Sequence, residues 1–310
     1  MGVENIGKKA VRVANSIVNF AVLLVIVLLV AVALYALWDS EQVYHAADAA
    51  KYEVYKPRAQ EEAGGPSFAQ LVAINPEAFA WLTVYGTNID YPVTQADDNA
   101  KYVNTNALGE YSLSGSIFLD YTNRADFTDF NSIFYGHHME KRTMFGELGL
   151  FANEAYFNAR AYGNLYYGKA DHGLEFFAFL HVDAYDSEVF APAVAGEQAQ
   201  QAYLKRLLEK ATFTRNIGEI TPADRIVLLS TCSAQSTNGR DILVARLTDT
   251  LYDSSFENAD VVEENISTTA SVDRQDGFVK RIPGWVWLGL MAIALGLIGY
   301  AIYSLLKAEK

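Results

Sequence analysis

The sequence predicts a mainly β domain with added helices, placed between two membrane-spanning helices. Seven or eight short apolar runs, separated by turn residues, indicate the strands of a closed or nearly closed β-barrel. One amphipathic helical pattern, at 197–211, interrupts these strands. Two apolar runs without charges, at 20–38 and 285–306, are each long enough to cross a bilayer.

The flanks of the first apolar run predict its orientation. Lys8, Lys9 and Arg12 precede it, whereas Asp39 and Glu41 follow it. Basic residues stay on the cytoplasmic side of a span, so the N-terminus is expected inside and the middle of the chain outside. The second run returns the C-terminus to the cytoplasm. The sequence therefore predicts a two-pass protein of the cell membrane.

A cleaved signal peptide is the alternative interpretation of the first run. Ala31 to Ala33 fits a small-x-small cleavage site. The run is longer than a typical signal core and stays apolar beyond that site, which favours an uncleaved anchor. The second run follows Pro283 and begins with Trp285 and Trp287, aromatics that suit a membrane interface.

Local composition predicts where the domains of the chain begin and end. Ser40 can cap a helix that continues to Lys56, and Gly64 to Pro66 marks a linker. The predicted domains are a cytoplasmic N-terminus (1–19), a transmembrane helix (20–38), an extracytoplasmic helix and linker (39–66), the β-barrel (67–250), an acidic stalk (251–282), a second transmembrane helix (283–306) and a cytoplasmic tail (307–310).

The charge and the motifs of the chain argue against nucleic acid, metals and other cofactors. The chain has 24 basic and 37 acidic residues, a net charge of −13. Only two of the acidic residues lie outside 39–279, so the predicted barrel and its stalk are strongly acidic. An acidic surface argues against nucleic acid as a partner. No four-ligand zinc spacing and no glycine-rich phosphate loop is present, so neither a metal nor another cofactor is expected.

The strands of the predicted barrel are short and follow one another closely. Gly86 to Asn88 separates the first two as a hairpin turn. The helix at 197–211 places Tyr203, Leu204, Leu207, Leu208 and Ala211 on one face. In chain order the predicted strands are 81–85, 89–93, 116–119, 132–135, 165–167, 174–182, 226–232 and 242–247.

Cys232 is the single cysteine, and it ends the apolar strand that begins at Ile226. A lone thiol at this position can be an inert small hydrophobe or a positioned nucleophile. One cysteine cannot form an internal disulfide, and an unpaired thiol outside the cell favours the reactive interpretation modestly. The residues alone leave both interpretations open.

Three other residues could assist a nucleophilic thiol. His137 and His138 follow a strand through Gly136, in a strand-end loop of the kind that often carries catalytic groups. Arg240 comes eight residues after Cys232, so it would lie near the thiol if the two strands are neighbours. Arg246 is a competitor on the same strand. His181 lies within an apolar strand and is interpreted as a packed or surface residue.

Together these residues resemble the sortases, the membrane-anchored cysteine transpeptidases of Gram-positive cell surfaces. The resemblance rests on Leu229 to Cys232, Arg240 and Tyr135 to His137. The detail is similar to class B and extends over about residues 70–248. The further matching stretches are 131–139, 144–148, 89–93, 98–102 and 115–120.

The resemblance implies a fold and an activity. It implies a barrel of about eight strands with an added helix between the sixth and seventh. It also implies that Cys232 is the nucleophile, that His137 is the general acid and base, and that Arg240 binds the peptide and the oxyanion. The groove for the sorting peptide would be lined by Asn99, Val103, Ser230, Thr231 and His138.

The implied reaction joins two partners. The enzyme would cleave a C-terminal sorting signal after a Thr, hold the product as a thioester and pass it to an amine. That amine would come from a peptidoglycan precursor or from a pilin lysine. The second membrane span departs from class B and is more familiar in class C, whose aspartate-proline lid motif is absent from residues 39–57.

Two interpretations outside this family remain at this point. A cell-wall cysteine hydrolase would also use a cysteine and a histidine, but in papain-like enzymes the cysteine usually precedes the histidine and opens a helix. Here His137 precedes Cys232 by 95 residues and the cysteine ends a strand. The other interpretation is a membrane-tethered β-barrel adhesin or assembly module in which the cysteine is structural.

Overall fold

The computed structural model describes residues 2–57, 67–232 and 238–253. Within these residues the chain forms nine strands, most of them short and apolar. Their bounds are β1 (Ala78–Val84), β2 (Asp90–Thr94), β3 (Ile117–Leu119), β4 (Asn131–Tyr135), β5 (Tyr162–Tyr167), β6 (Ala170–Asp183), β7 (Ala211–Thr214), β8 (Arg225–Cys232) and β9 (Gly239–Thr248).

Eight of these strands close into a barrel. The sheet runs β5-β1-β2-β3-β4-β8-β9-β6-β7, and a further β5–β6 pairing closes it. β6 is 14 residues long, so it pairs along one edge first with β5 and then with β7, while β9 occupies its other edge. The predicted eight-stranded barrel is confirmed, with β7 as an extra ninth strand on β6.

Strands β8 and β9 are buried on both faces. Leu229 and Leu243 belong to the cluster inside the barrel, whereas their neighbours Leu228 and Val244 belong to a second cluster outside it. Successive strand residues point to opposite faces, so two buried faces require an almost continuous apolar run. This explains why β8 reads as uninterrupted Ile, Val and Leu.

Four α-helices accompany the strands within the described residues. α4 covers the outer cluster with Tyr203, Leu204 and Leu207, as the amphipathic pattern predicts. Leu208 instead stays 44% exposed, and Ala211 already belongs to β7. The bounds are α1 (Gly2–Ala47), α2 (Phe68–Ile74), α3 (Glu154–Ala159) and α4 (Glu197–Lys210).

α1 is a single continuous helix, so the predicted separate helix capped by Ser40 is wrong. No glycine or proline occurs between Gly7 and Pro57 to interrupt it. Its segment Arg12–Trp38 is long and apolar enough to cross a membrane, and the mean hydropathy reaches 3.2 over an 18-residue window. Residues up to Glu41 form one compact unit, and the β domain, from residue 42 onward, forms another.

Several predicted segments lie outside the described residues. These are the linker at 58–66, the stalk beyond residue 253, the second transmembrane helix (283–306) and the tail (307–310).

Candidate active site

The predicted site residues come together at one edge of the barrel. β4 and β8 are parallel neighbours, with Tyr135 paired to Ser230, so their carboxyl ends reach the same edge. β8 and β9 are antiparallel, and Cys232 pairs with Arg240. The expected neighbourhood of the cysteine and the arginine is therefore confirmed at the level of the backbone. His137 follows two residues after the end of β4.

A backbone contact fixes the ring of His137. Its Nε2 lies 2.8 Å from the carbonyl oxygen of Val103, and the residue is half-buried. A carbonyl oxygen only accepts, so the contact requires a proton on Nε2. In the neutral ring, Nδ1 is then the nitrogen that can take up a proton. Val103, predicted to line the groove, thus orients the histidine through its main chain.

The loop after His137 is tightly folded. The amide of Phe145 donates to the His137 carbonyl over 3.1 Å, and His138 forms an isolated antiparallel bridge with Met144. Lys141, Arg142 and Met144 have positive φ angles of 58°, 58° and 52°, a region that side-chain-bearing residues rarely adopt.

Gly136 allows this loop to pack against the barrel. Its amide donates to the Ser230 carbonyl over 3.2 Å, which joins the end of β4 to β8. A Cβ atom at Gly136 would lie 2.7 Å from Cδ2 of Phe145, closer than real Cβ contacts. A glycine is required here by this close approach.

The two arginines of β9 have different surroundings. Arg240 is half-buried at the edge, and its Nη1 donates to the carbonyl of Gly239 over 3.0 Å. Arg246 is committed elsewhere, because its Nη2 contacts Glu175 Oε2 at 2.6 Å and the Ile217 carbonyl at 3.0 Å. The structure therefore leaves Arg240 as the arginine beside Cys232.

A buried carboxylate next to Arg240 was missed by the sequence reasoning. Asp241 is 4% exposed, and its Oδ1 lies 2.8 Å from Nδ1 of His181, its register partner on β6. On β8 its partner is Thr231. The available signal was an acidic residue, itself preceded by an arginine, directly before the apolar run 242–245. His181, expected to be a packed or surface residue, is this carboxylate's partner.

Asn99 belongs to a second polar network near the same edge. Its Nδ2 donates to Asp120 Oδ2 over 2.8 Å, and its Oδ1 accepts from the Tyr121 amide over 3.0 Å. Tyr135 donates to the same Asp120 oxygen over 3.1 Å. Burial and the Asp120 charge raise the pKa of Tyr135 well above its ordinary value. Asp120, only 4% exposed, was not predicted.

Two buried hydroxyls complete the edge. Ser230 and Thr231 are each 2% exposed, and in the described part of the chain neither hydroxyl has a hydrogen-bond partner. Buried hydroxyls without partners are costly, which makes them available to a bound group.

His138 is half-buried and lies near the Asp241 carboxylate. Both side chains border Gly149, because a Cβ atom there would approach Asp241 Oδ2 and the His138 ring. Residues 2–57, 67–232 and 238–253 contain no cluster of three or more potential metal ligands.

Comparison with known proteins identifies the family. No family model matches the chain. Sortase B of Listeria monocytogenes is 32% identical over 181 residues, which cover 57% of this chain and 72% of that protein.

Solved structures agree with this relationship. Sortase B from the type II pilus of Streptococcus pneumoniae is 48% identical, with a TM-score of 0.52, over 59% of this chain and 99% of that one. A Streptococcus pyogenes class B sortase involved in pilus biogenesis is 39% identical, with a TM-score of 0.54, over 58% and 97%. The resemblance deduced from the sequence is confirmed, and the chain belongs to the class B sortases, a family of cysteine transpeptidases.

Proposed function

We propose that this sortase cleaves a C-terminal sorting signal after a Thr and transfers the acyl group to an amine. The proposal assigns the nucleophile to Cys232, the general acid and base to His137 and oxyanion binding to Arg240. The supporting observation is the register at one edge of the barrel. Cys232 pairs with Arg240, and Ser230 pairs with Tyr135, two residues before His137.

In the first half-reaction the Cys232 thiolate attacks the carbonyl carbon of the Thr. The developing oxyanion is bound by the Arg240 guanidinium, a charged donor whose planar fork suits an oxygen with several lone pairs. The C–N bond then breaks, and Nδ1 of protonated His137 gives its proton to the leaving amine. The products are a thioester on Cys232 and a free downstream peptide.

In the second half-reaction neutral His137 takes a proton from the incoming amine. The amine attacks the thioester carbonyl, a new amide bond forms and the thiolate leaves. The contact of Nε2 with the Val103 carbonyl supports this assignment, because it keeps one ring proton in place while Nδ1 exchanges the other.

Replacing Cys232 by Ala tests the assignment. In the full chain, Cys232→Ala is expected to abolish covalent capture of a threonine-containing sorting peptide, measured by intact mass spectrometry. A persistent acyl-enzyme or transpeptidation product in this variant would contradict it.

Two arginine substitutions test the oxyanion role. Arg240→Lys is expected to lower kcat about 10²–10³-fold, since losing one oxyanion donor typically has this effect. Arg246→Lys is the matched control on the same strand, and it should affect stability more than kcat because its partner is Glu175. Equal loss of kcat in both variants would contradict the role of Arg240.

The amine is proposed to be a pilin lysine. Support comes from the pilus sortases of Streptococcus pneumoniae and Streptococcus pyogenes, at 48% and 39% identity. The alternative is a peptidoglycan precursor. Mass spectrometry of linked peptides from cells with and without this protein distinguishes the two, since a lysine isopeptide between protein subunits supports the first and a linkage to a cell-wall peptide supports the second.

The proposed location is the cell membrane, with the catalytic domain (67–250) on the extracytoplasmic face. The apolar segment Arg12–Trp38 of α1 supports an N-terminal anchor. The mass of the mature protein tests it, because a chain that begins near Leu34 would indicate a cleaved signal peptide. A reporter fused after Lys310 should remain cytoplasmic if 283–306 is a second span.

A further inference from the structure

The geometry points to Tyr91 as a positioning residue for the reaction. We infer that its hydroxyl holds the histidine loop (residues 137–147) against the linking segment (residues 47–56), which begins at the last residue of α1. The inference rests on the proposed role of His137, because the loop would be held in the conformation in which that histidine exchanges protons.

The Tyr91 hydroxyl joins two distant parts of the chain. It donates to the carbonyl oxygen of Ala47 over 2.9 Å and accepts from the amide of Met144 over 3.0 Å. A hydroxyl has one proton and two lone pairs, so it can make both bonds at once. Burial raises the pKa of Tyr91 to about 12, so the hydroxyl remains protonated at neutral pH.

Met144 bridges His138 and precedes Phe145, the residue whose amide bonds to His137. Its strand-like bridge to His138 and the bond from the Phe145 amide to the His137 carbonyl place both residues opposite the histidine pair. Met144 also has a φ of 52°, a conformation that costs free energy and persists only where its surroundings fix it. The bond to Tyr91 is one of the contacts that can fix it.

Two residues of the linking segment anchor it in the barrel's hydrophobic cluster, whereas most of its other residues are exposed. Ala47 is fully buried and Tyr52 is 3% exposed, and both belong to the same hydrophobic cluster as the barrel interior. The Tyr52 ring meets the Tyr91 ring edge-on, with centroids 6.4 Å apart. Tyr91 itself is 2% exposed, so water cannot readily replace the lost bonds of an altered side chain.

Tyr52 provides a matched control. It is also a buried tyrosine of this cluster, and burial likewise raises its pKa to about 12. The backbone near its hydroxyl that partly offsets this rise in pKa is that of Ala107, which does not belong to the histidine loop. Tyr52→Phe and Tyr91→Phe therefore remove similar groups with different connections.

The experiment compares these two variants in the full chain, in detergent. With a threonine-containing sorting peptide, Tyr91→Phe is expected to lower kcat about five- to tenfold and leave KM nearly unchanged, an effect on the scale of one lost hydrogen bond. Tyr52→Phe should lower the unfolding temperature similarly but leave kcat unchanged. Amide hydrogen exchange should accelerate within residues 141–147 in Tyr91→Phe alone.

Equal kcat losses in the two variants, or an unchanged exchange rate in residues 141–147, would overturn the inference. His137→Ala, measured in parallel, separates it from the proposed function. If His137→Ala retains transpeptidation, the proposed role of that histidine fails, whereas the exchange measurement still tests whether Tyr91 holds the loop.

Discussion

Gly136→Ala should damage the site by displacing a single ring. The added Cβ would lie 2.7 Å from Cδ2 and 3.0 Å from Cγ of Phe145. The φ angle of Gly136 is not in the left-handed region, so the effect comes from this clash and not from backbone strain. Phe145 is fully buried, so its ring can move only by displacing its neighbours.

The expected loss of stability follows from the overlap between the added Cβ atom and the Phe145 ring. Optimal carbon contacts lie at about 3.5–4.0 Å, so the Phe145 ring must retreat by about 1 Å. Overpacking of this kind typically costs about 1–3 kcal/mol of stability. The Phe145 amide is bonded to the His137 carbonyl, so the shift would reach the histidine loop that is proposed to carry the acid and base. Because a misplacement of about 1 Å can cost about 10²-fold in rate, we expect kcat to fall about 10- to 100-fold.

The assay is a double-mutant cycle with Phe145→Leu. Phe145→Leu removes the ring and should cost less than the about 3–5 kcal/mol typical of a Phe→Ala truncation. The double variant should be more stable than the sum of the single effects predicts, by about 1 kcal/mol, and should regain part of kcat. Strict additivity in urea unfolding, or an unchanged kcat in Gly136→Ala, would refute the reasoning.

Three further predictions concern the structure around the site. Burial by itself would raise the pKa of Asp186, but the hydrogen bond and charge of Lys210, together with the backbone amides of Val189 and Glu188, hold it below its ordinary value. The pair therefore stabilises the fold at neutral pH, and this contribution is lost as the pH falls through the lowered pKa. Lys210→Met should therefore destabilise by about 1 kcal/mol at pH 7 in urea unfolding, with a difference that shrinks below about pH 3.9. Glu147→Gln should lower the free energy of unfolding by about 2 kcal/mol in the same assay, because the buried carboxylate accepts two hydrogen bonds from Asn88, at 2.8 and 3.0 Å. An unchanged free energy of unfolding would contradict this. Tyr203→Phe, which loses a 2.8 Å bond to a loop carbonyl, should cost about 1 kcal/mol in thermal unfolding without a change in kcat.

The sequence predicts those features that depend on local pattern. Short apolar runs separated by turn residues are sufficient to predict the strands. The pairing of Cys232 with Arg240 can be predicted because the two residues lie at the facing ends of two consecutive strands. The resemblance to the sortases is what singles out His137 as the proposed general acid and base. The position of Asp241 directly before the apolar run 242–245 could have drawn attention to it, since a carboxylate that is buried at the start of a core strand needs a partner.

Other features depend on contacts between residues far apart in the chain. Asp120 joins Asn99 and Tyr135 only because β3 lies beside β4, and a hydroxyl–carbonyl contact such as Tyr91 to Ala47 spans 44 residues. The continuous α1 was missed for another reason. Asp39 and Ser40 resemble a helix start, but Ser and Asp also tolerate a helix interior when no glycine or proline follows.

The parallel pairing of β4 with β8 has a consequence for how the enzyme comes to exist. Parallel neighbours cannot be joined by a tight turn, and here the crossover includes α3, β5 to β7 and α4. Loop closure over such a distance is slow, so β8 is expected to enter the sheet late in folding. Cys232 and His137 therefore meet only after nearly the whole domain has folded. Under the proposed topology, a partly exported chain would present His137 before Cys232, and without the thiol it could not form an acyl-enzyme with a sorting signal.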